Sequence, residues 1–268
     1  MVEALLGLPV VCLLGLATLQ VALLMHARDA LHVALLEAAR AGSVAHAERG
    51  AIERGLARGL EPLMPPDAVG TAQPQRVQAM RMLRAGLAEG WIRLRSLSPT
   101  RESFLDWGTP ARDAAGDPID GTEIAVDNLP SESARRQPAS GASGARASAP
   151  IGQASGQTLA DASLLRLELV YGVPVSVPLA GPMIAWALRI ADGCAVPTGR
   201  RLGAVDLGRP TRQAQPRGWA CAFYGAQDAS GAPRPRVPVR LTALVRMQTP
   251  PRLDAATPSR AAMARGAP

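Results

Sequence analysis

Few residues of this 268-residue chain could do chemistry, and most are poorly spaced for it. All three histidines, His26, His32 and His46, fall in the first 46 residues. His32 and His46 lie four helical turns apart, so they share at most one face of a helix. No carboxylate stands beside them as a metal ligand, and we read all three as solvated. Asp113, Asp117 and Asp120 alternate with glycines but lack the spacing and closing Glu of a calcium loop. A flexible acidic linker is the better reading. There is no G-x-S-x-G, no phosphate-binding loop and no H-E-x-x-H. No catalytic, cofactor-binding or metal-binding residue is assigned, no cofactor is expected, and an enzyme is not the leading reading.

Three residues keep chemical interest. Cys194 and Cys221 form an even pair far from Cys12, which lies in an apolar run and reads as a small apolar side chain. In a chain anchored by one membrane helix such a pair points to a disulfide in an oxidising compartment, with two buried free thiols as the alternative. The third residue is Glu3, a lone carboxylate at the tip of MVEALLGLPVVCLLGLATLQVALLM. A charged group at the centre of a membrane helix costs about 2.5–3.5 kcal/mol, and less near the interface. Glu3 either rests among headgroups at the positive end of the helix dipole, or meets a positive partner such as an N-terminal ammonium on a neighbouring helix.

These residues need elements to hold them. From Ala4 to Met25 nothing carries a formal charge, and Thr18 and Gln20 are the polar side chains. About twenty residues at about 1.5 Å each cross a hydrocarbon layer of roughly 30 Å. A cleaved secretory signal would have a cationic start and a shorter apolar core, neither of which is present, and His26-Ala27-Arg28-Asp29 after the run offers no good cleavage site. The expectation is a retained transmembrane helix. Beyond it, Leu31, Leu35, Ala38, Gly42, Ala45, Ile52 and Leu56 follow a four–three spacing, so the helix is predicted to run on as a stalk to about Leu60. Ala38 and Gly42 on that stripe would let another helix approach closely.

Val77, Met80, Leu83, Leu87, Trp91 and Leu94 predict a second amphipathic helix over 76–97. SESARRQPASGASGARASAP reads as flexible linker. In LLRLELVYGVPVSVP, Leu165, Leu167, Leu169, Tyr171 and Val173 share one parity, which predicts a half-buried strand, with Pro174 marking an edge or bend. PLAGPMIAWALRIADGC reads as a short helix, and WACAFYG as a strand paired in a hairpin with RVPVRLTALVRMQTP. The tail after Pro250 reads as disordered. The expected fold class is α+β: a transmembrane and stalk helix (1–61), a loop and second helix (62–108), a low-complexity linker (109–160), a small antiparallel β-rich head (161–249) and a tail (250–268). With 26 glycines, 24 prolines and 3 % aromatics, little of the chain can build a core. The net charge of +7 comes from scattered arginines with no aromatic platform, so no nucleic-acid partner is expected, although an anionic membrane surface would attract it.

With those residues laid out, the chain resembles TadE-like proteins, the pseudopilins of the tight-adherence (Flp-type) pilus system. VEALLGLPVVCLLGL is similar to the family's V-E-x-x-L-x-x-P-x-x-x-x-L pattern, and Ala38-Ala39-Arg40-Ala41-Gly42 to its A-A-R-x-G-like stretch. VPVRLTALVRMQTP resembles a strand common in such proteins. These segments cover about a third of the chain. The resemblance implies a single-pass protein of the bacterial inner membrane with its C-terminal domain outside the cytoplasm. It implies cleavage by a prepilin peptidase just after a Gly upstream of the Glu. It implies that Glu3 pairs with the free amine of an adjacent subunit during assembly. The partners it implies are other pseudopilin or pilin subunits, inner-membrane pilus assembly proteins and membrane lipid. Only Met1 and Val2 precede Glu3, so that Gly is missing, and the expectation is a start further upstream. Arg28 and Arg40 follow the span, and upstream residues would restore a positive-inside bias. The reading is a non-enzymatic assembly component; the alternative is a membrane-anchored extracytoplasmic binding or sensor module, which needs neither Glu3 nor the stripe.

Overall fold

The computed structural model describes residues 2–63, 75–113, 115–129, 131–132, 150–194, 218–227 and 234–265, with side chains from Gly7 to Met263. Its contacts divide the chain into two units. One is Met1–Arg28 with Tyr171–Val239; the other is Asp29–Val170 with Arg240–Ala267. The fold is α+β, with a three-stranded antiparallel sheet and a two-stranded hairpin.

The first helix, α1 (Val2–Val44), carries Pro9 in its interior and belongs to both units. It does not run to Leu60 as the stripe predicted. His46 and Ala47 take positive φ of 54° and 62°, and α2 (Arg49–Leu60) begins anew. The end of α1 is held from far along the chain. Ser43 O accepts from the backbone N–H groups of Gln248 and Thr249 at 3.0 and 3.1 Å. The His46 backbone N–H donates to Thr249 Oγ1 at 3.0 Å, and its ring Nδ1 lies 2.8 Å from Pro250 O. Orphan carbonyls at a helix end need such partners, and here Gln248 and Thr249 supply them. The tail therefore does not fray as composition predicted: Pro251 is fully buried, Arg252 N–H donates to His46 O, and the Glu102 carboxylate accepts from Arg260 N–H.

The second helix is also shorter than its spacing predicted. α3 (Gln75–Glu89) stops at Gly90, whose φ of +80° is the left-handed conformation that ends helices. The next residues, Ile92–Ser98, alternate as IRLRSLS and form strand β1. Thr100 then caps α4 (Arg101–Trp107) through a reciprocal bond with Ser103.

Part of the stretch read as linker is folded. β2 (Gly108–Arg112) pairs antiparallel with β3 (Pro118–Ile124), and the Asp113 carboxylate accepts from the backbone N–H groups of Ala115 and Asp117 across the turn. Asp113 and Asp117 thus serve a tight turn, because an Asx side chain can replace a backbone partner there. Phe104, Trp107 and Ile124 pack with Leu159 and Ala162 of α5 (Leu159–Ala162) in one small core. Most of SESARRQPASGASGARASAP lies outside the described residues.

The three-stranded sheet has the order β1-β4-β5, with β4 (Leu164–Pro174) in the centre and β5 (Arg236–Arg246) at an edge. The central strand is buried on both faces from Leu167 to Val173, not on one as its alternation predicted. Glu168 is 3 % exposed and is paired by Arg240, whose Nε donates to Oε2 at 2.9 Å. A buried charge needs such a partner. Pro238 is tolerated because β5 is an edge. α6 (Ala180–Ala191) follows β4. WACAFYG is not a strand. Gly218–Ala220 is a 3₁₀ turn leading into α7 (Cys221–Tyr224), with Trp219 and Phe223 packed edge to face one turn apart. The last element is α8 (Arg260–Arg265).

Candidate functional site

The exposed stretch of α1 is the feature with the clearest functional consequence. Leu8, Val11 and Leu14 are 67 %, 66 % and 63 % exposed, and only 6 % of the helix's most apolar window is buried. A core helix of a soluble protein would be covered, so the composition and exposure together are compatible with a single-pass membrane anchor. The Glu3 side chain lies outside the described residues; its backbone is in the first turn of α1.

Of the two polar side chains in this stretch, Thr18 donates its hydroxyl to Gly15 O at 2.8 Å within the helix, and the other is turned inward. Gln20 is 1 % exposed, and its Oε1 accepts from the backbone N–H of Val177 at 3.0 Å. A Cβ on Gly181 would stand 3.5 Å from the same oxygen, an ordinary van der Waals contact, so the first turn of α6 lies beside Gln20. Both groups would otherwise be unsatisfied in an apolar setting, which costs about 1–3 kcal/mol each. Around this bond Leu13 and Ala17 of α1 face Ala180, Met183, Ile184 and Ala187 of α6 across an open apolar groove of about 230 Å³.

The far side of α6 turns inward. Leu188 packs against Cys194, Ala220 and Tyr224, and Tyr224 Oη donates to Asp192 Oδ2 at 2.6 Å. Cys194 and Cys221 are joined, with Cα atoms 5.5 Å apart. The bond closes a loop of 27 residues that α6 and α7 flank. Cys12 is a free, exposed thiol on α1.

Ala38 and Gly42 are occupied from within the chain. Ala38 is fully buried, and Cβ atoms added to Gly42 or Gly55 would sit 2.7 Å from Ile52 Cγ1 and 2.9 Å from Ala38 Cα, respectively. The small residues thus let α2 seat against α1 of the same molecule, and Leu165 closes over Gly42. Leu31, Leu35, Ile52 and Leu56 of the predicted stripe are all buried in this contact region. His26 and His32 are exposed, whereas His46 is half-buried and bonded as described. Among the described residues no group of three His, Cys, Asp or Glu side chains is placed to share a metal ion.

Asp106 is the best-fitted carboxylate outside these helices. It accepts from the Ser155 hydroxyl at 2.6 Å and from the backbone N–H groups of Ser155 and Ala154 at 2.7 and 3.1 Å. Burial pushes its carboxyl up, but the Ser155 hydroxyl and the backbone N–H groups of Ser155, Ala154 and Gln153 outweigh it and hold the group below the ordinary value of 3.8. The contact pins the loop 152–155, where a Cβ on Gly152 would collide with the Asp106 side chain. The bonds to Ser155 and Ala154 all serve to fix that loop, a structural role.

Two features escaped the sequence reading: Gln20 as an internal acceptor, and the apolar outer face of α6. The signal for the first was present, since a lone amide in an apolar span needs a partner. Comparison with models of known families, with curated proteins and with solved structures finds no match to this chain.

Proposed function

We propose that this chain is a membrane-anchored, non-enzymatic assembly subunit, a TadE-like minor pseudopilin of a tight-adherence (Flp-type) pilus or a related secretion machine. In this reading α1 lies across the bacterial inner membrane and the folded body is extracytoplasmic. The observation that carries it is the exposed apolar surface of α1, continuous with a helix whose second half enters a folded core. The Gln20–Val177 bond supports retention of the helix, since a cleaved signal would not be hydrogen-bonded to the mature body. The Cys194–Cys221 bond supports an oxidising compartment. Glu3 then pairs with the amine of an adjacent subunit, and the lipid-facing surface of α1 packs against neighbouring helices. Because Ala38 and Gly42 are filled by α2, docking of other subunits falls to the part of α1 before Arg28.

That same filling favours a second reading, an anchored binding or sensor module, which needs no free stalk face. A Glu3→Ala variant separates the two. The assembly reading expects normal membrane insertion with loss of piliation and of crosslinks to other pilin-like helices. Unchanged piliation with unchanged crosslinks would remove Glu3 and the pilus from the account.

A further inference from the structure

Helix α6 leaves a second apolar surface uncovered. Met183, Trp186 and Ile190 are 57 %, 63 % and 45 % exposed and recur at steps of three and four, and Leu179, just before the helix, is 66 % exposed. That spacing is one stripe of a helix. Arg189, half-buried, is the single ionisable residue within Ala180–Ala191, and the next, Asp192, is buried against Tyr224. The outward stripe therefore carries no charge.

We infer that this outer face of α6 is a second lipid-contacting surface, lying in the bilayer beside α1. The inference rests on the reading of α1 as the membrane anchor. Three observations choose lipid over a protein partner. First, the stripe is continuous with the exposed surface of α1, because the two helices are joined at Gln20–Val177 and share an apolar groove. Second, that groove is open and lined by apolar residues, and a hydrocarbon chain fills such a space without needing polar partners. Third, the seam of a coiled coil with a second copy is flanked along its length by charged positions that set register, whereas along α6 Arg189 is the one charged residue. With 12 residues α6 extends about 18 Å, too short to cross roughly 30 Å of hydrocarbon. It enters one leaflet and does not span. Trp186 suits the boundary, where an indole keeps its N–H near water.

The test uses the full chain in phosphatidylcholine–phosphatidylglycerol vesicles. In a Cys12→Ala background, Met183→Cys and, separately, Trp186→Cys are labelled with an environment-sensitive thiol dye; Cys194 and Cys221 are consumed by their disulfide. Leu105→Cys, at an 80 % exposed site in the other unit, is the control, and the native Cys12 labelled in the unaltered chain reports on α1. An intact disulfide by gel shift shows that each variant is folded. The expected result is that bromine on the acyl chains quenches dye at 12, 183 and 186, while iodide in the water quenches dye at 105. Quenching at 12 with iodide-accessible dye at 183 and 186 would overturn this inference and leave the anchor standing. Iodide access at all three would remove both. Oxidative crosslinking between two copies of the unlabelled Trp186→Cys variant through the introduced thiols, with no bromine quenching, would assign the face to a second molecule and overturn the lipid surface.

Discussion

Replacing Gly55 by Ala should destabilise the protein, although helix propensity alone favours the opposite. In the middle of a helix Ala exceeds Gly by about 1 kcal/mol. Gly55 sits in the middle of α2 and is buried. A Cβ there would stand 2.7 Å from Ala41 Cβ, 2.9 Å from Ala38 Cα and 2.9 Å from Glu37 O. Two of these three contacts are to backbone, so relief requires α1 and α2 to move apart. Overpacking a well-filled contact costs typically about 1–3 kcal/mol, and separation also loosens Ile52 and Leu56 against α1. Set against the propensity gain, the net loss runs up to about 2 kcal/mol, or up to several degrees in midpoint for a chain of this size. Gly50 on the same helix is the internal control. Its added Cβ would meet Glu48 Oε1 at 3.1 Å and Arg54 Nη1 at 3.2 Å, the free ends of exposed side chains that swing away. Gly50→Ala should therefore be neutral or stabilising by about 0.5 kcal/mol. The assay is chemical denaturation of the full chain in mild detergent, followed by tryptophan fluorescence, because Trp91 and Trp107 report on the same unit. If Gly55→Ala proves as stable as the wild type or more so, α2 does not seat on α1 through these glycines.

Reducing the Cys194–Cys221 bond, which closes 27 residues, should cost about 3.5 kcal/mol in the chain-entropy model and lower the melting temperature in a scan with reductant. Gln20→Leu leaves the Val177 N–H without its acceptor and should cost about 1–3 kcal/mol, read as faster proteolysis around α6. Asp106 is held below its ordinary value, so its contribution to stability is present above the unfolded pKa and is lost as pH falls through the lower folded pKa. Asp106→Asn should therefore flatten the acid limb below about pH 4, measured as midpoint against pH, and an unchanged limb would deny the carboxylate that role.

The apolar helix, the α+β class and the buried positions Leu31, Leu35, Ile52 and Leu56 were legible in the sequence because one period held over many turns. Pattern misled where two periods fitted a short run. Trp91 and Leu94 continue the spacing of α3, but Leu94 also shares the strand parity of Ile92, and Gly90 decides between the two periods by ending the helix. WACAFYG alternates over too few residues to exclude a helical turn, and a disulfide to the end of α6 ties its Cys221. Composition hid the folding of β2 and β3 and of the segment 251–265, whose order comes from bonds to partners distant in sequence: Ile124 N–H to Pro251 O, Leu253 N–H to Thr122 O, Arg252 N–H to His46 O and Arg260 N–H to the Glu102 carboxylate. Glu168 sat on the parity read as solvent-facing because the pattern of β4 could not reveal that its strand is central, with Arg240 beside it. For Glu3, charge alone left two readings, headgroups or an amine partner, and the resemblance is what favours the second.

Both the proposed assembly role and the lipid-facing surface of α6 depend on α1 residing in lipid. Alkaline carbonate extraction of membranes from cells producing the native chain, followed by immunoblotting, measures that directly. The protein should stay wholly in the membrane pellet and be released by detergent alone. Its appearance in the carbonate supernatant would contradict the anchor, and with it both of those roles.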